Sequence, residues 1–226
     1  MALAIRLDNV SKSFGHHKAV DSISLDVHAG ELVGLVGPDG AGKTTLARIA
    51  AGALAPTAGR VEPESRGRVG YLTGRFSLYP ELTVWENLAF FAKVYGMSPA
   101  EVKVEGERLL DWVGLLPFRQ RLAGALSGGM RQKLALACAV VHRPPTLILD
   151  EPTTAVDPVA RMDFWNLLRE QAAQGCAVLV TTPYMDEAEP CHRVALLHQG
   201  RLLAQGPSAE LIGRLPCRMA LLVPAG

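Results

Sequence analysis

The chain has 226 residues, 49% of them hydrophobic, and its 23 lysines and arginines against 22 aspartates and glutamates give a formal net charge of +1. This length suits one large α/β domain, or one domain with an inserted lobe. Near-neutral charge without a basic run predicts no nucleic-acid partner, because clustered lysines and arginines bind phosphate backbones. The apolar stretches are shorter than the roughly 18–20 residues of a bilayer crossing, and charge comes too early for a signal peptide. We expect a cytoplasmic chain, peripheral on the inner face of the cell membrane only through a partner.

The four cysteines, Cys138, Cys176, Cys191 and Cys217, are widely spaced along the chain and form no C-x-x-C pair. Such spacing is typical of reduced thiols in or near a core. The adjacent Cys191 and His192 are too few ligands for zinc. No metal site is therefore expected from the cysteines.

Short apolar runs alternate with helical stretches along much of the chain. Strands are predicted at residues 23–27, 31–37, 146–150 and 177–182. Helices are predicted at residues 43–53, 159–174 and 187–191. The first strand alternates in polarity, whereas the other three are apolar almost throughout, as strands buried on both faces are. Buried strands followed by helices predict an α/β fold with a mostly parallel sheet covered on both sides.

Residues from about 76 to 141 form two amphipathic helical patterns with no strand between them. Thr83 and Ser98 are suitable N-caps, and Gly96 and Gly114 are suitable helix ends. This segment is predicted to be a helical lobe inserted between sheet strands.

Near the C-terminus, the pattern around Gln199 and Gly200 predicts a β-hairpin that turns at these two residues. Residues 217–226 resemble an apolar strand without an obvious partner. From that strand we expect the chain to be one half of a longer protein.

The sequence "GPDGAGKTT" follows a buried strand and opens a helix. It fits G-x-x-x-x-G-K-[ST], whose glycines let successive N–H groups point at phosphate oxygens while the helix N-terminus adds partial positive charge. Lys43 would reach the β- and γ-phosphates of ATP, and Thr44 would offer its hydroxyl to Mg²⁺. The alternative is a simple glycine-rich turn. The predicted ATP-binding residues of this loop are Gly37, Pro38, Asp39, Gly40, Ala41, Gly42, Lys43, Thr44 and Thr45.

Asp150 and Glu151 end the predicted strand "TLILD", which should lie beside the phosphate loop. Asp150 is positioned to hold Mg²⁺ through water, and Glu151 to polarise an attacking water as the catalytic residue. Adjacent acids are also common as a solvated pair. The four apolar residues before them favour the functional interpretation.

The motif "LSGGMRQ", from Leu126 to Gln132, supplies a serine and two glycines ahead of a helix. With the two motifs above, the chain resembles the nucleotide-binding domain of ABC transporters over essentially its whole length. The resemblance implies an ABC-type ATPase fold over residues 1–226, with a P-loop NTPase core, a mostly parallel sheet, a small antiparallel β part and an inserted helical lobe. It also implies two cassettes that enclose two ATP molecules. The residues that would contact the partner's ATP in trans are Ser127, Gly128, Gly129 and Gln132.

Further positions match the family one by one. Phe14 matches the aromatic residue that stacks on adenine, although an isolated phenylalanine is more often part of a core. Asp157 matches the interfacial aspartate. "PYMDEAE" and "FSLYPELTVWENL" are most similar to the exporter branch, which includes drug-efflux systems and pairs with separate permease subunits. Candidate contacts with the permease, each of which could equally be core, are Phe76, Leu78, Tyr79 and Leu82.

Two positions depart from the family pattern. Gly74 stands where members generally have a glutamine that binds Mg²⁺ and the attacking water, and the segment before it looks shortened. Pro183 stands where members have a histidine that hydrogen-bonds the γ-phosphate. A proline can also simply end a strand. The hypothesis is a degenerate site that binds MgATP well and hydrolyses it slowly or not at all.

The first functional hypothesis is therefore that the chain is the ATP-binding subunit, or half-subunit, of an ABC exporter that binds ATP and Mg²⁺. Its expected partners are a second cassette, in a homodimer, a heterodimer or a fused tandem protein, and transmembrane permease subunits. The second hypothesis is a regulatory ATP-dependent dimerisation module with little hydrolysis. The third is a soluble ABC-type ATPase that acts on ribosomes or DNA. It would require a second cassette, a long coiled-coil insertion or basic arms, and this sequence contains none of them.

Overall fold

The structure is a computed structural model that describes residues 2–63, 69–73, 78–154 and 156–214. Three sequence predictions lie outside the described residues. They concern Gly74, Phe76 and the strand at residues 217–226. Five residues of the segment thought to be shortened (57–72), residues 64–68, also lie outside them.

The described residues form two sheets and a set of helices. The strands are β1 (Leu3–Phe14), β2 (His17–His28), β3 (Leu32–Val36), β4 (Ala58–Pro63), β5 (Val69–Leu72), β6 (Thr146–Asp150), β7 (Ala177–Thr182), β8 (Arg193–His198) and β9 (Arg201–Pro207). The helices are α1 (Lys43–Ala50), α2 (Val84–Val94), α3 (Pro99–Trp112), α4 (Gly128–Val140), α5 (Pro158–Ala173) and α6 (Ser208–Arg214). Single 3₁₀ turns lie at Leu116–Phe118, Ala123–Ala125 and Asp186–Ala188.

The larger sheet has the strand order β5-β6-β7-β3-β8-β9. Its pairs are parallel except for the antiparallel hairpin β8-β9. Strands β3, β6 and β7 are buried at every residue, as their apolar sequences predict. The predicted α/β class with a mostly parallel sheet is confirmed.

A core lies on each face of this sheet because alternate residues of a buried strand point to opposite sides. On one side, Leu32 and Leu147 pack with residues of α2 to α5. On the other side, Val33 and Ile148 pack with α1 and with the smaller antiparallel sheet, whose order is β2-β1-β4. Helix α1 thus lies between the two sheets, with its N-terminus at the carboxyl end of β3.

Helices α2 to α4 follow one another without a strand between residues 84 and 140, all of which are described. Thr83 caps α2 in a capping box with Glu86, and Ser98 caps α3 in another with Glu101. After these helices, Gly96 and Gly114 adopt positive φ angles of 79° and 71°. The predicted starts and stops are confirmed, while the lobe boundaries at 76 and 141 stay a prediction.

Two predicted helices were too long. Helix α1 ends at Ala50 and not at residue 53, because Gly52 turns left-handed with φ 71° and the N–H groups of Ala53 and Leu54 return to the carbonyl of Arg48. The helix expected at 187–191 is only the 3₁₀ turn Asp186–Ala188, which ends before the proline at position 190.

The predicted hairpin turn is confirmed. Gln199 and Gly200 lie between β8 and β9 with φ angles of 47° and 77°, as a type I′ turn requires. Among the described residues, no helix combines the length and apolar character that a bilayer crossing demands.

Candidate functional site

A cavity of about 390 Å³ lies where the phosphate loop leaves β3 and enters α1. The β1-β2 hairpin closes one side of it, and the end of β6 closes the other. The lining residues are Phe14, His17, Ala19, Asp39, Gly40, Ala41, Gly42, Lys43, Thr44, Thr45 and Glu151. The structure therefore brings the predicted adenine residue Phe14, most of the predicted loop and the predicted catalytic acid to one cavity.

Glycines are needed in the loop for a reason that the motif alone does not reveal. A Cβ atom on Gly37 would lie 2.2 Å from the carbonyl oxygen of Leu197, and one on Gly42 would lie 2.3 Å from that of Ala19. Gly42 also has a positive φ of 99° as the N-cap of α1. Close approach of neighbouring backbone thus excludes any side chain at these two positions.

The ammonium group of Lys43 lies at the centre of the loop. Its Nζ donates to the carbonyls of Gly37 at 2.8 Å and Pro38 at 3.1 Å, and it lies 3.1 Å from Glu151 Oε1. Only 3% of the lysine side chain is exposed. A buried cation needs such partners, and here they hold the charge beside the cavity.

Thr44 and Asp150 meet at the side of the cavity. Thr44 Oγ1 donates to Asp150 Oδ1 at 3.0 Å, and Asp150 is 5% exposed. Burial and the negative charge of Asp150 raise the pKa of nearby Tyr71. Mg²⁺ in phosphate sites is held by one or two protein oxygens together with the phosphates, and this pair of hard oxygen atoms fits that requirement.

Thr181 is a site residue that sequence reasoning missed. Its Oγ1 donates to Asp150 Oδ1 at 2.7 Å and accepts from the backbone N–H of Glu151 at 2.9 Å. Glu151 has a φ of 49°, which is uncommon for a residue other than glycine. One hydroxyl therefore orients both acids. The signal in the sequence was a polar residue near the end of a buried strand parallel to "TLILD".

Pro183 follows the last residue of β7 and is half-buried. The loop that carries it adjoins the phosphate loop, because Gly37 N–H donates to the carbonyl of Thr182 at 3.3 Å. The strand-ending interpretation and the lost-contact interpretation are both compatible with this position. Gly74 cannot be compared in the same way, since it lies outside the described residues.

The motif around Ser127 caps α4, and Ser127 Oγ accepts from Met130 N–H at 3.3 Å. Ser127 is exposed and Gly128 half-buried, whereas Gly129 and Gln132 are buried. None of these four residues, all within the described part of the chain, lines the cavity of its own chain.

The second glycine of the motif packs against the first turn of α5. Asp157 caps α5 by accepting from Ala160 N–H at 2.9 Å, and a Cβ atom on Gly129 would lie 2.7 Å from that of Ala160. The motif and the predicted interfacial Asp157 are therefore neighbours in space.

Two further residues were also missed. His17 is the register partner of Phe14 across the first hairpin turn and lines the same cavity. Glu187 is a buried carboxylate behind the loop that carries Pro183. Burial, and then the charge of Glu187, raise the pKa of the neighbouring Cys191 thiol to about 12.

Cys138, Cys176 and Cys191 are free and buried, as predicted for cysteines near a core, and Cys217 lies outside the described residues.

Comparison with known proteins identifies the family. A protein-family model described as ABC transporter matches residues 20–154. The chain is 42% identical over 230 residues to the probable multidrug ABC transporter ATP-binding protein YbhF of Escherichia coli K12, covering 96% of this chain and 40% of that protein. It is also 42% identical over 226 residues to Nod factor export ATP-binding protein I of Paraburkholderia xenovorans, covering 95% of this chain and 74% of that protein.

Solved structures agree in fold. The ADP conformation of MJ1267, an ATP-binding cassette of an ABC transporter, superposes with a TM-score of 0.85 at 26% identity, covering 94% of each chain. The dimeric structure of MJ0796, a bacterial ABC transporter cassette, superposes with a TM-score of 0.81 at 27% identity, covering 90% of this chain and 98% of that one. The family model covers more than half of the chain. The chain therefore belongs to the ABC transporter family and is one of its ATP-binding cassettes.

Proposed function

We propose that the chain binds MgATP at an interface between two cassettes and couples that binding to export by a membrane permease. The observation that carries the proposal is the cavity at the N-terminus of α1, where Lys43, the acid pair and Phe14 converge. The names of the relatives, multidrug transporter and Nod factor export protein, support export. Because they specify different cargoes, we propose no particular substrate.

Each side chain of the cavity has a role that follows from its chemistry. Phe14 offers an exposed ring for the adenine base, and the loop N–H groups with Lys43 bind the β- and γ-phosphates. Thr44 and Asp150 would hold Mg²⁺, which would neutralise negative charge on the phosphates when bound. Glu151 accepts a hydrogen bond from the attacking water and orients it.

Hydrolysis at this site is proposed to be slow. Pro183 offers no hydrogen-bond donor to a γ-phosphate, and Gly74 offers no side chain to Mg²⁺ or water. Loss of one preorganised donor costs about 10²–10³ in rate at comparable sites. MgATP affinity should suffer less, because Lys43, Thr44 and the loop backbone remain.

The partner cassette completes the second half of the site. The N-terminus of α4, with exposed Ser127, is suited to an anion that comes from another chain, and it does not line the cavity of its own chain. MJ0796, at 27% identity, forms a dimer. We propose that Ser127, Gly128 and Gly129 contact the partner's ATP and that Asp157 lies in the interface. Gln132, being buried, would support this surface from within.

A permease would dock beside α2. Tyr79 and Phe90 are about 40% exposed, and their rings meet edge to face at a centroid distance of 4.9 Å. The fully buried amide of Asn87 holds the loop that presents Tyr79, accepting from its N–H at 2.9 Å and donating to its carbonyl at 3.0 Å. This rigid aromatic pair extends the predicted contacts Leu78 and Leu82. The chain would then be peripheral at the inner face of the membrane.

The alternative, a regulatory dimerisation module with little hydrolysis, is favoured by Pro183 and Gly74, which offer no contact to the γ-phosphate or the attacking water. Co-expression with a permease distinguishes the two functions. A stable complex in detergent, with its ATP affinity or turnover changed by the permease, supports the exporter component. MgATP-driven dimerisation with no membrane partner and no turnover supports the regulatory module, and failure to bind MgATP would refute both.

A further inference from the structure

Glu187 is a buried carboxylate whose two oxygens both have partners. Oε1 accepts from Thr153 Oγ1 at 2.7 Å, and Oε2 accepts from Thr182 Oγ1 at 2.5 Å. Arg161 Nε lies 3.2 Å from Oε1, and the glutamate side chain is 1% exposed. Burial of a carboxylate is costly unless it is paired and hydrogen-bonded. This carboxylate satisfies both conditions with three side chains.

The three partners belong to three different segments. Thr153 lies in the turn that follows the acid pair, and Thr182 is the last residue of β7. Arg161 lies in the first turn of α5, where its N–H donates to the carbonyl of Asp157 at 2.9 Å. One carboxylate therefore joins the exits of both site strands to the start of the helix that Asp157 caps.

The loop with Pro183 is held from behind by the same cluster. Thr182 Oγ1 donates to Glu187 and accepts from the N–H of Tyr184 at 3.1 Å. The guanidinium of Arg161 lies 5.2 Å from the centroid of the Tyr184 ring. All of these contacts are made within the protein. They therefore hold the loop in place even though Pro183 cannot donate a hydrogen bond to a phosphate.

The cluster also reaches the surface around the α4 motif. Gly129 lies against the α5 segment, where an added Cβ would be 2.7 Å from Ala160 and 3.6 Å from Val156. Val156 N–H donates to the carbonyl of Thr153 at 3.1 Å. Contacts thus run without a gap from the Pro183 loop through Glu187 to the α4 motif.

We propose that Glu187 is a positioning residue, which holds residues 153–154, residues 156–161 and the Pro183 loop in one fixed relation. Glu187 thereby fixes the positions of Asp157 and of the α5 segment that Gly129 packs against. Both belong to the surface that would contact a second cassette. The inference rests on the proposed function, in which these two surfaces face a partner cassette. A merely structural carboxylate would stabilise the whole fold and leave dimerisation unaffected in the folded protein.

The test compares Glu187→Gln with Glu189→Gln, the same change at an exposed position two residues away. Hydrogen exchange of the full chain is measured with and without MgATP, together with MgATP affinity and MgATP-driven dimerisation. For Glu187→Gln we expect faster exchange at residues 153–154 and 156–161, unchanged exchange in α1, MgATP affinity within about threefold and dimerisation weakened about tenfold. Glu189→Gln should match the unmodified chain.

Milder variants cover the case in which Glu187→Gln does not fold. Thr153→Val and Thr182→Val each remove one hydrogen bond to the carboxylate and should give the same pattern at a smaller amplitude, whereas Thr182→Ser should restore it. Faster exchange throughout the chain, or only at residues 186–189, would overturn the proposal. If the unmodified chain never dimerises with MgATP, the two cassettes of the proposed function are not two copies of this chain, and the exchange at residues 153–154 and 156–161 still decides the role of Glu187.

Discussion

Asp150 and Thr181 stand side by side near the carboxyl ends of β6 and β7, where Thr181 Oγ1 donates to Asp150 Oδ1 at 2.7 Å. The two residues are register partners in the parallel sheet. The same hydroxyl accepts from the N–H of Glu151 at 2.9 Å. A threonine outside the phosphate loop, the acid pair and the α4 motif thus orients the proposed Mg²⁺ ligand and the proposed catalytic acid together.

Replacing Thr181 with valine should weaken the Mg²⁺-dependent part of ATP binding. The change leaves Asp150 with one hydrogen bond fewer, at a cost of about 1–3 kcal/mol, or roughly 5- to 150-fold in affinity. Calorimetric titration with ATP, with and without Mg²⁺, measures this. Thr181→Ser should retain the affinity, and an equal loss with and without Mg²⁺ would contradict the assigned role.

Replacing Lys43 with alanine should reduce MgATP affinity strongly. The change removes a charged donor from the phosphates and leaves Glu151 without its partner at 3.1 Å. We expect a loss of roughly 10- to 150-fold, as for other hydrogen bonds to charged groups. Lys133→Ala, which breaks an ion pair between half-buried Lys133 and exposed Asp163, serves as the control and should leave the affinity within about twofold.

Restoring the family's usual glutamine and histidine at positions 74 and 183 should speed ATP hydrolysis. Gly74→Gln combined with Pro183→His should raise steady-state turnover by about 10²–10³, with MgATP affinity within a few-fold. Pro99→His, an exposed position at the start of α3, controls for the added imidazole. Turnover of several per second in the unmodified chain, as in ordinary enzymes, would refute the degenerate site.

The aromatic side of the cavity should contribute affinity for the adenine base of ATP. Phe14 is 51% exposed and pairs with His17 across the hairpin turn. Stacking of one base is worth about 1–3 kcal/mol, so Phe14→Ala should weaken MgATP binding by roughly 5- to 150-fold, and His17→Ala by less. His16→Ala is the matched control, because His16 lies beside His17 but does not line the cavity. Equal effects at both histidines would contradict the geometry.

Glu105 should make stability depend on pH. Burial alone would raise its pKa, but hydrogen bonds and charge from Arg108 and Arg143 outweigh burial and lower the pKa from 4.5 to about 2. The folded pKa is below the unfolded value, so the stabilisation is present above pH 4.5 and is lost as the pH falls towards 2. Both arginines are at least half exposed. Solvent therefore screens their charges and reduces the stabilisation that they give.

We expect Glu105→Gln to lower the free energy of unfolding by about 1–3 kcal/mol at neutral pH. Urea unfolding at a series of pH values measures the difference, which should narrow below pH 4.5. Glu107→Gln, at an exposed pair with Arg119, should change stability by less than about 0.5 kcal/mol at any pH. A difference that stays constant as the pH falls would refute the ionic origin.

The local features of the fold were predictable because they depend on neighbours in sequence. Apolar runs identified β3, β6 and β7, and the serine and threonine caps identified α2 and α3. Helix ends were less predictable. Helix α1 ends at Ala50 because the backbone of the next residues folds back onto Arg48, and a window of residue types does not contain that hydrogen-bond choice.

The phosphate loop, the acid pair and the α4 motif were predictable, since each is a contiguous set of residues whose chemistry depends on local backbone geometry. In contrast, the hydrogen bond from Thr181 to Asp150, the shared cavity of His17 and Phe14, and the contacts of Glu187 with three segments became visible only in the folded chain. Strand register and loop packing set these contacts, and neither can be inferred from a window of neighbouring residues. Asp150 and Thr181 are 31 residues apart in the chain, and only the alignment of two parallel strands brings their oxygens within hydrogen-bonding distance.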